Sequence, residues 1–344
     1  MGEQLVTSKD ALTTYRYVRL GLVALIVFLT ASVIDTGRVA NGWQNSVSAY
    51  FYTSSHSVFV ASLCAVGICL IIYQGSTTTE DSLLNFSGFM ALIVGLVPTG
   101  REALHGPGLP KEFDPTAFVE NNVGALLIAS LAAVAVYLII QFVRNRLATP
   151  PQAELCSGAD DLPKSDAPEL PAVLAAVVRF LRKVLPAVAP LLRLAGRFLP
   201  CLLLGAVVAG AVVFFVDLPL FVRNAHNVAA YAMFGGIIVV AVHYACYAAL
   251  REDRGPRARF GFVAGYLIIA LSMLLTLIVV AILQCTGNGL RLLIVEFIVI
   301  GEFAAFWLFQ SVDLWELEKY QVPSLSEVLR QLGTNEKGDA AETR

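Results

Sequence analysis

The chain has 344 residues, of which 57 % are hydrophobic and 15 % charged, and its mean hydropathy is +0.71. Soluble domains carry about 25 % charged residues, so this composition excludes the soluble, disordered and collagen-like classes. A net charge of −2 excludes a basic nucleic-acid-binding surface. The six cysteines form no C-x-x-C pair and indicate no disulfide framework. The sequence therefore predicts an integral membrane protein.

Eight apolar runs are long enough to cross about 30 Å of hydrocarbon as helices. Each is apolar on all sides, which favours helices over strands because a helix satisfies its own backbone groups in lipid. The first run is longer than the apolar region of a typical signal peptide and has no clear cleavage site, so it is expected to stay as a span. The predicted fold is an all-α bundle of eight transmembrane helices, at residues 18–36, 57–74, 83–100, 119–142, 198–216, 227–249, 260–284 and 291–312.

The distribution of Lys and Arg predicts the orientation of this bundle. With the N-terminus inside, the inner connections and tails hold 19 of the 24 basic residues. Basic residues concentrate on the cytoplasmic side of membrane proteins. The chain is therefore predicted to be a multi-pass plasma-membrane protein with both termini in the cytoplasm.

The chain divides into two membrane halves separated by a polar connection. The connection is Pro-rich and acidic, a composition that cannot bury a core, and the end of the chain is polar as well. The predicted organisation is an N-terminal half at 1–148, a disordered linker at 149–170, a basic surface helix at 171–197, a C-terminal half at 198–319 and a mobile tail at 320–344.

The basic surface helix is predicted from the positions of its cations. At 100° per residue, its five basic residues fall within an arc of about 100°, opposite an Ala/Val/Leu face. This pattern is typical of a helix in the anionic inner leaflet, so membrane lipids are the predicted partners. A cytosolic connector and a re-entrant segment are the alternatives. The predicted lipid-contacting residues are Arg179, Arg182, Lys183, Arg193 and Arg197.

A parallel four-plus-four repeat is a further prediction. Spans two and six begin with similar residues, at His56 and His226, and spans one and five both end in an acid. A competing register aligns Asn122 in span four with Asn227 in span six. The sequence leaves the two registers open.

Ionisable residues within spans are the candidates for a buried site, because each is costly in hydrocarbon unless it is paired or hydrated. Glu302 lies near the middle of span eight, and His243 in span six lies at a similar depth. With Glu296, nearer the outer edge of span eight, the two residues predict a proton or substrate site. The alternative is a protonated Glu302 that bonds Ser or Thr of span seven. Gly301 predicts close approach of another helix, and Glu296 is expected to neutralise a cation on the outer side.

Three of the four histidines, His56, His105 and His226, are predicted to lie at the outer face. With a carboxylate they would suit a catalytic zinc site. A Ser/His/Asp group from Ser55 or Ser57, His56 and Asp35 is a second possibility. The alternative is that these residues belong to the polar belt at the membrane surface. No nucleotide-, flavin- or haem-binding motif is present, and no cofactor is expected.

Three segments of the chain resemble a family of bacterial multi-pass membrane proteins of unknown function. They are residues 46–60 (SVSAYFYTSSHSVFV), 85–98 (NFSGFMALIVGLVP) and 302–310 (EFAAFWLFQ). The resemblance implies a bacterial inner-membrane protein and carries no activity and no site residues.

The leading functional hypothesis is a non-enzymatic membrane protein that handles or senses a small molecule or lipid. It includes proton-coupled transport through Glu302 and His243. One alternative is a membrane-embedded, metal-dependent hydrolase that uses the outer histidines. Another is a structural or regulatory subunit whose polar residues serve packing alone.

Overall fold

The computed structural model describes residues 2–40, 42–75, 77–100, 114–147, 198–250, 256–286 and 289–315. Throughout this part of the chain the regular structure is helical, with no strand. A short 3₁₀ helix, Ser48–Tyr52, precedes the second α-helix. The helices are α1 Gly2–Val39, α2 His56–Ile72, α3 Thr78–Leu96, α4 Thr116–Leu147, α5 Phe198–Val216, α6 Leu218–Leu250, α7 Pro256–Thr286 and α8 Gly289–Asp313. The predicted all-α class is confirmed.

Six helices are long and apolar enough to cross a membrane: α1, α4, α5, α6, α7 and α8. Helix α2 is apolar but has 17 residues, about 26 Å of helix. Helix α3 has 19 residues and carries Glu80 and Asp81 in its first turn. Both helices overlap predicted spans. By length and composition, however, six of the described helices qualify as membrane spans, rather than the eight predicted.

Six helices form a closed ring in the order α1, α2, α3, α6, α7, α8, since each packs against the next and α8 packs against α1. Helix α4 makes slight contact with α3 and α6 from outside the ring. In the apolar windows of α4 and α5, 6 % of the residues are buried, against 44 % in α6. The ring therefore forms the core, and α4 and α5 lie at its periphery.

Small residues set the closest contacts within the ring. A Cβ atom on Gly67 of α2 would lie 2.6 Å from the carbonyl oxygen of Gly88 of α3, and the Phe309 ring of α8 lies against Gly265 of α7. Gly301 is different, because no atom lies within 4 Å of its Cβ position and the residue is exposed. The predicted close approach of a helix at Gly301 is therefore wrong within the described structure.

Helix α6 begins nine residues before its predicted start, in what was expected to be an outer loop. Asp217 caps it by accepting the N–H of Leu220 at 3.0 Å, and Pro219 suits a first helical turn because its missing N–H would have no partner there. The 33 residues of α6 extend about 50 Å, longer than the hydrocarbon core. Hydropathy detects only the apolar part of such a helix.

The predicted linker, basic surface helix and tail lie outside the described residues. This also applies to the predicted lipid-contacting cations Arg179, Arg182, Lys183, Arg193 and Arg197.

Candidate functional site

A cavity lies inside the ring, and all six ring helices contribute to its wall. It contains about 860 Å³ of empty space, including its open mouth. Aliphatic and aromatic side chains make most of the wall, among them Phe59 of α2, Phe234 of α6 and Phe303 of α8. A mostly apolar cavity with a few polar groups is the usual form of a small-molecule site.

The polar groups of the wall gather at one end of the cavity. They come from the first half of α6, the end of α7, the beginning of α8 and the segment of residues 47–52, here called the cap. Among the described residues that line the cavity, Glu296 is the one acid, and none is Lys or Arg. The polar wall residues are Ser48, His226, Asn227, Tyr231, Gln284 and Glu296.

Glu296 connects α8 to the cap. The backbone N–H of Val47 donates to Glu296 Oε2 at 2.6 Å, across 249 positions of sequence. Backbone N–H groups form charge-assisted hydrogen bonds to ionised carboxylates. Glu296 was expected to neutralise a cation. In the structure it instead accepts a hydrogen bond from the backbone of the cap.

His226 and Tyr231 are oriented by hydrogen bonds at the polar end. The buried His226 ring has Nδ1 2.7 Å from the Val97 carbonyl oxygen, so Nδ1 is the donor. In the neutral ring, Nε2 is then an acceptor. The Tyr231 hydroxyl donates to Gln284 Oε1 at 2.8 Å and joins α6 to α7.

A second polar cluster, here called the charge network, closes the opposite end of the ring. Its side chains come from all six ring helices, counting Tyr73 directly after the last residue of α2. Each of these side chains is at most 5 % exposed. Tyr244 donates to Glu80 Oε1, and Tyr266 donates to Asp313 Oδ2 at 3.0 Å. The members are Arg19 of α1, Tyr73 at the end of α2, Glu80 of α3, Tyr244 of α6, Tyr266 of α7, and Gln310 and Asp313 of α8.

Arg19 is the one cation among these members. Its Nη1 donates to the Gln310 carbonyl oxygen at 3.3 Å, and its guanidinium lies 6.0 Å from the centre of the Tyr73 ring. A buried arginine beside two carboxylates and three tyrosines needs every helix of the ring in place. The charge network therefore seals the end of the ring that faces away from the cavity.

Sequence reasoning missed the charge network because its members lie at the edges of apolar runs. From the sequence, Arg19 is only one of the 19 basic residues that predict the inner side. Glu80 is the fourth residue of a Thr77-x-x-Glu80 pattern, in which Thr77 accepts the Glu80 N–H at 3.2 Å. That capping pattern was the available signal, but it indicates a helix start rather than a buried acid.

The structure gives Glu302 and His243 different partners. Thr276 of α7 donates to Glu302 Oε1 at 3.1 Å, as the alternative interpretation of Glu302 proposed. His243 Nε2 lies 3.1 Å from Thr77 Oγ1, just before α3. Neither residue lines the cavity.

The outer histidines do not form the predicted zinc site within the described part of the chain. No three His, Cys, Asp or Glu side chains there could hold one metal ion, and His105 lies outside it. His56 is exposed, with Nδ1 2.6 Å from the Phe51 carbonyl oxygen, whereas His226 is buried. The two rings therefore have unlike environments.

The Ser/His/Asp alternative is not assembled around Ser55 either. The buried Ser55 hydroxyl contacts Ser32 Oγ at 3.0 Å and Thr36 Oγ1 at 2.7 Å. These contacts fasten α2 to α1. Because His56 contacts Phe51 instead, Ser55 has no general base in this structure.

No family model, no curated protein and no solved structure matches this chain.

Proposed function

We propose that this protein is a non-enzymatic integral membrane protein that binds a small amphiphilic molecule in the cavity of the six-helix ring. The cavity is the observation that carries the proposal. Its long apolar wall suits a hydrocarbon body, while Glu296, His226 and Tyr231 collect at one end to receive a polar head. The hydrolase alternative has weaker support, because the described histidines lack a common centre.

Native mass spectrometry of the purified protein tests this proposal. We expect a co-purifying molecule that is lost when Ala230→Trp fills the cavity, since Ala230 lines it. Val228→Trp is the matched control, because Val228 is 63 % exposed on the same helix and should retain the bound molecule. The absence of any bound molecule, or equal binding by the Ala230→Trp variant, would contradict the proposal and favour the structural-subunit alternative.

Proton-coupled transport is the second candidate function. The observation that favours it is the asymmetry of the ring, which has a cavity at one end and the charge network at the other. A carrier needs a site that is open on one side and sealed on the other. In this proposal the coupling acid is Glu296 rather than Glu302, because Glu296 lines the cavity.

We also propose that α2 and α3 cross the membrane, so that eight helices span it with both termini in the cytoplasm. The ring supports this, since α2 and α3 pack side by side with the four long helices of the ring. We further propose that this membrane is the bacterial plasma membrane and that the anionic lipids of its inner leaflet are partners. We also propose that the two halves of the chain form a four-plus-four repeat. For the repeat, the α2–α3 pair corresponds to α6–α7, whereas peripheral α4 would correspond to α8 in the ring.

Cysteine labelling of intact cells tests the orientation. In a variant without native cysteines, Trp43→Cys should react with a membrane-impermeant maleimide, because Trp43 precedes the cap and is 42 % exposed. Arg254→Cys, in the basic connection after α6, should react only after the cells are opened. The reverse pattern would invert the topology and place the polar end of the cavity on the cytoplasmic side.

A further inference from the structure

We infer that the ligand of the cavity is a lipophilic cation, such as an amine or a quaternary ammonium with an apolar body. This inference rests on the proposed function, since it names the chemical class of the molecule that the cavity binds. Its starting point is the charge of the wall. The described wall residues include one carboxylate, Glu296, and no Lys or Arg side chain that could neutralise it.

The donors around Glu296 fix its position without supplying a positive charge. The Val47 N–H holds Oε2 at 2.6 Å, and this amide carries a dipole rather than a unit charge. A carboxylate in an apolar wall is costly until a counter-charge approaches it. A cation at the polar end would supply that charge, whereas an anion would add a second negative charge in a region of low dielectric constant.

Two further polar groups at this end are held by hydrogen bonds within the protein. The Nδ1 of His226 is occupied by the Val97 carbonyl at 2.7 Å, which leaves Nε2 as an acceptor. The Tyr231 hydroxyl is directed to Gln284 at 2.8 Å. Glu296 of α8 therefore lines this end together with His226 and Tyr231 of α6, and its carboxylate is the group that attracts an ammonium charge.

Aromatic rings also line the cavity. They are Phe59, Tyr231, Phe234 and Phe303, on α2, α6 and α8. Aromatic faces attract quaternary ammonium groups through cation–π interactions and also pack against apolar bodies. One acid, several aromatic rings and an aliphatic wall together match a cation that is largely hydrocarbon.

Two probes of equal shape and different charge test the inference. Benzyltrimethylammonium and neopentylbenzene differ by a positive nitrogen in place of a quaternary carbon. Binding is measured by equilibrium dialysis of the full-length protein in nanodiscs of uncharged lipid, with empty nanodiscs as the blank. We expect the cation to bind at least about tenfold more tightly than the neutral probe, because the carboxylate acts on the charge alone.

The variant Glu296→Gln should lose about tenfold in affinity for the cation and retain its affinity for neopentylbenzene. Gln keeps a side-chain oxygen for the Val47 N–H, so the cap contact persists. Asp35→Asn is the matched control. It removes an exposed acid near the C-terminal end of α1 and should leave both affinities unchanged.

The outcomes separate this inference from the proposed function. Equal binding of the two probes, or unchanged cation binding by Glu296→Gln, would overturn the inference and leave amphiphile binding intact. Failure of both probes to bind, together with no co-purifying molecule in native mass spectrometry, would overturn both.

Discussion

Replacing Arg19 with leucine should lower the free energy of unfolding by about 3–5 kcal/mol, the usual effect of removing one member of a buried charge group. Arg19 is 3 % exposed, and Glu80 and Asp313 of the same network are 0 % and 2 % exposed. Removing the guanidinium takes a buried positive charge out of a network that contains these two buried acids. The lost bond to the Gln310 carbonyl would also weaken the closure of the ring between α1 and α8.

Reversible unfolding in mixed micelles, followed by tryptophan fluorescence, measures this effect. Arg38→Leu is the matched control, because Arg38 is an exposed arginine in the last turn of the same helix. Its replacement should change stability by less than about 0.5 kcal/mol. If Arg19→Leu were as stable as Arg38→Leu, the charge network would not hold the ring together.

Replacing Gly88 with leucine should push α2 away from α3 and destabilise the ring. A Cβ at Gly88 would lie 2.5 Å from the Gly67 carbonyl oxygen and 2.8 Å from Ile71 Cγ1. A backbone carbonyl cannot turn away as a side chain can, so the helices themselves must move. Overpacking of a core costs about 1–3 kcal/mol, occasionally more, and the larger values are expected against backbone.

Thermal unfolding and size-exclusion chromatography in detergent measure this effect. Gly301→Leu on α8 is the matched control, because Gly301 has open space at its Cβ position. It should elute as the wild type does and unfold at about the same temperature. Equal stability of the two variants would mean that α2 and α3 are not packed through their glycines.

The cavity and the charge network also suggest how binding at one end could affect the other. Helix α8 carries Glu296 at the cavity and Asp313 in the network, and α6 likewise carries His226 and Tyr244. A shift of either helix would therefore act on both ends of the ring. This arrangement gives the transport candidate a bistable element on which a ligand can act.

The sequence by itself determined the class of protein and the positions of its helices. The run at 198–216 coincides with α5, and the runs at 260–284 and 291–312 lie within α7 and α8. This success has a physical reason, since a helix in lipid needs a continuous apolar segment of a set length. The same rule fails at the start of α3, where Glu80 in the first turn is buried by other helices rather than exposed to lipid.

Only the tertiary structure decided which helices form the core and which polar residues meet. A long apolar run predicts a spanning helix equally for peripheral α4 and for α6 in the ring. It does not distinguish them, because lipid and the protein interior are both apolar. The hydrogen bond between Glu296 and Val47 joins residues 249 positions apart, and no local pattern encodes it. The sequence predicts similar depths for Glu302 and His243. Depth does not tell which way a side chain points around its helix axis. In the structure their partners, Thr276 and Thr77, lie on other elements. The positions of the helices along the chain follow from which segments need lipid and which need water around them. The residues of the site follow from how the helices pack against one another.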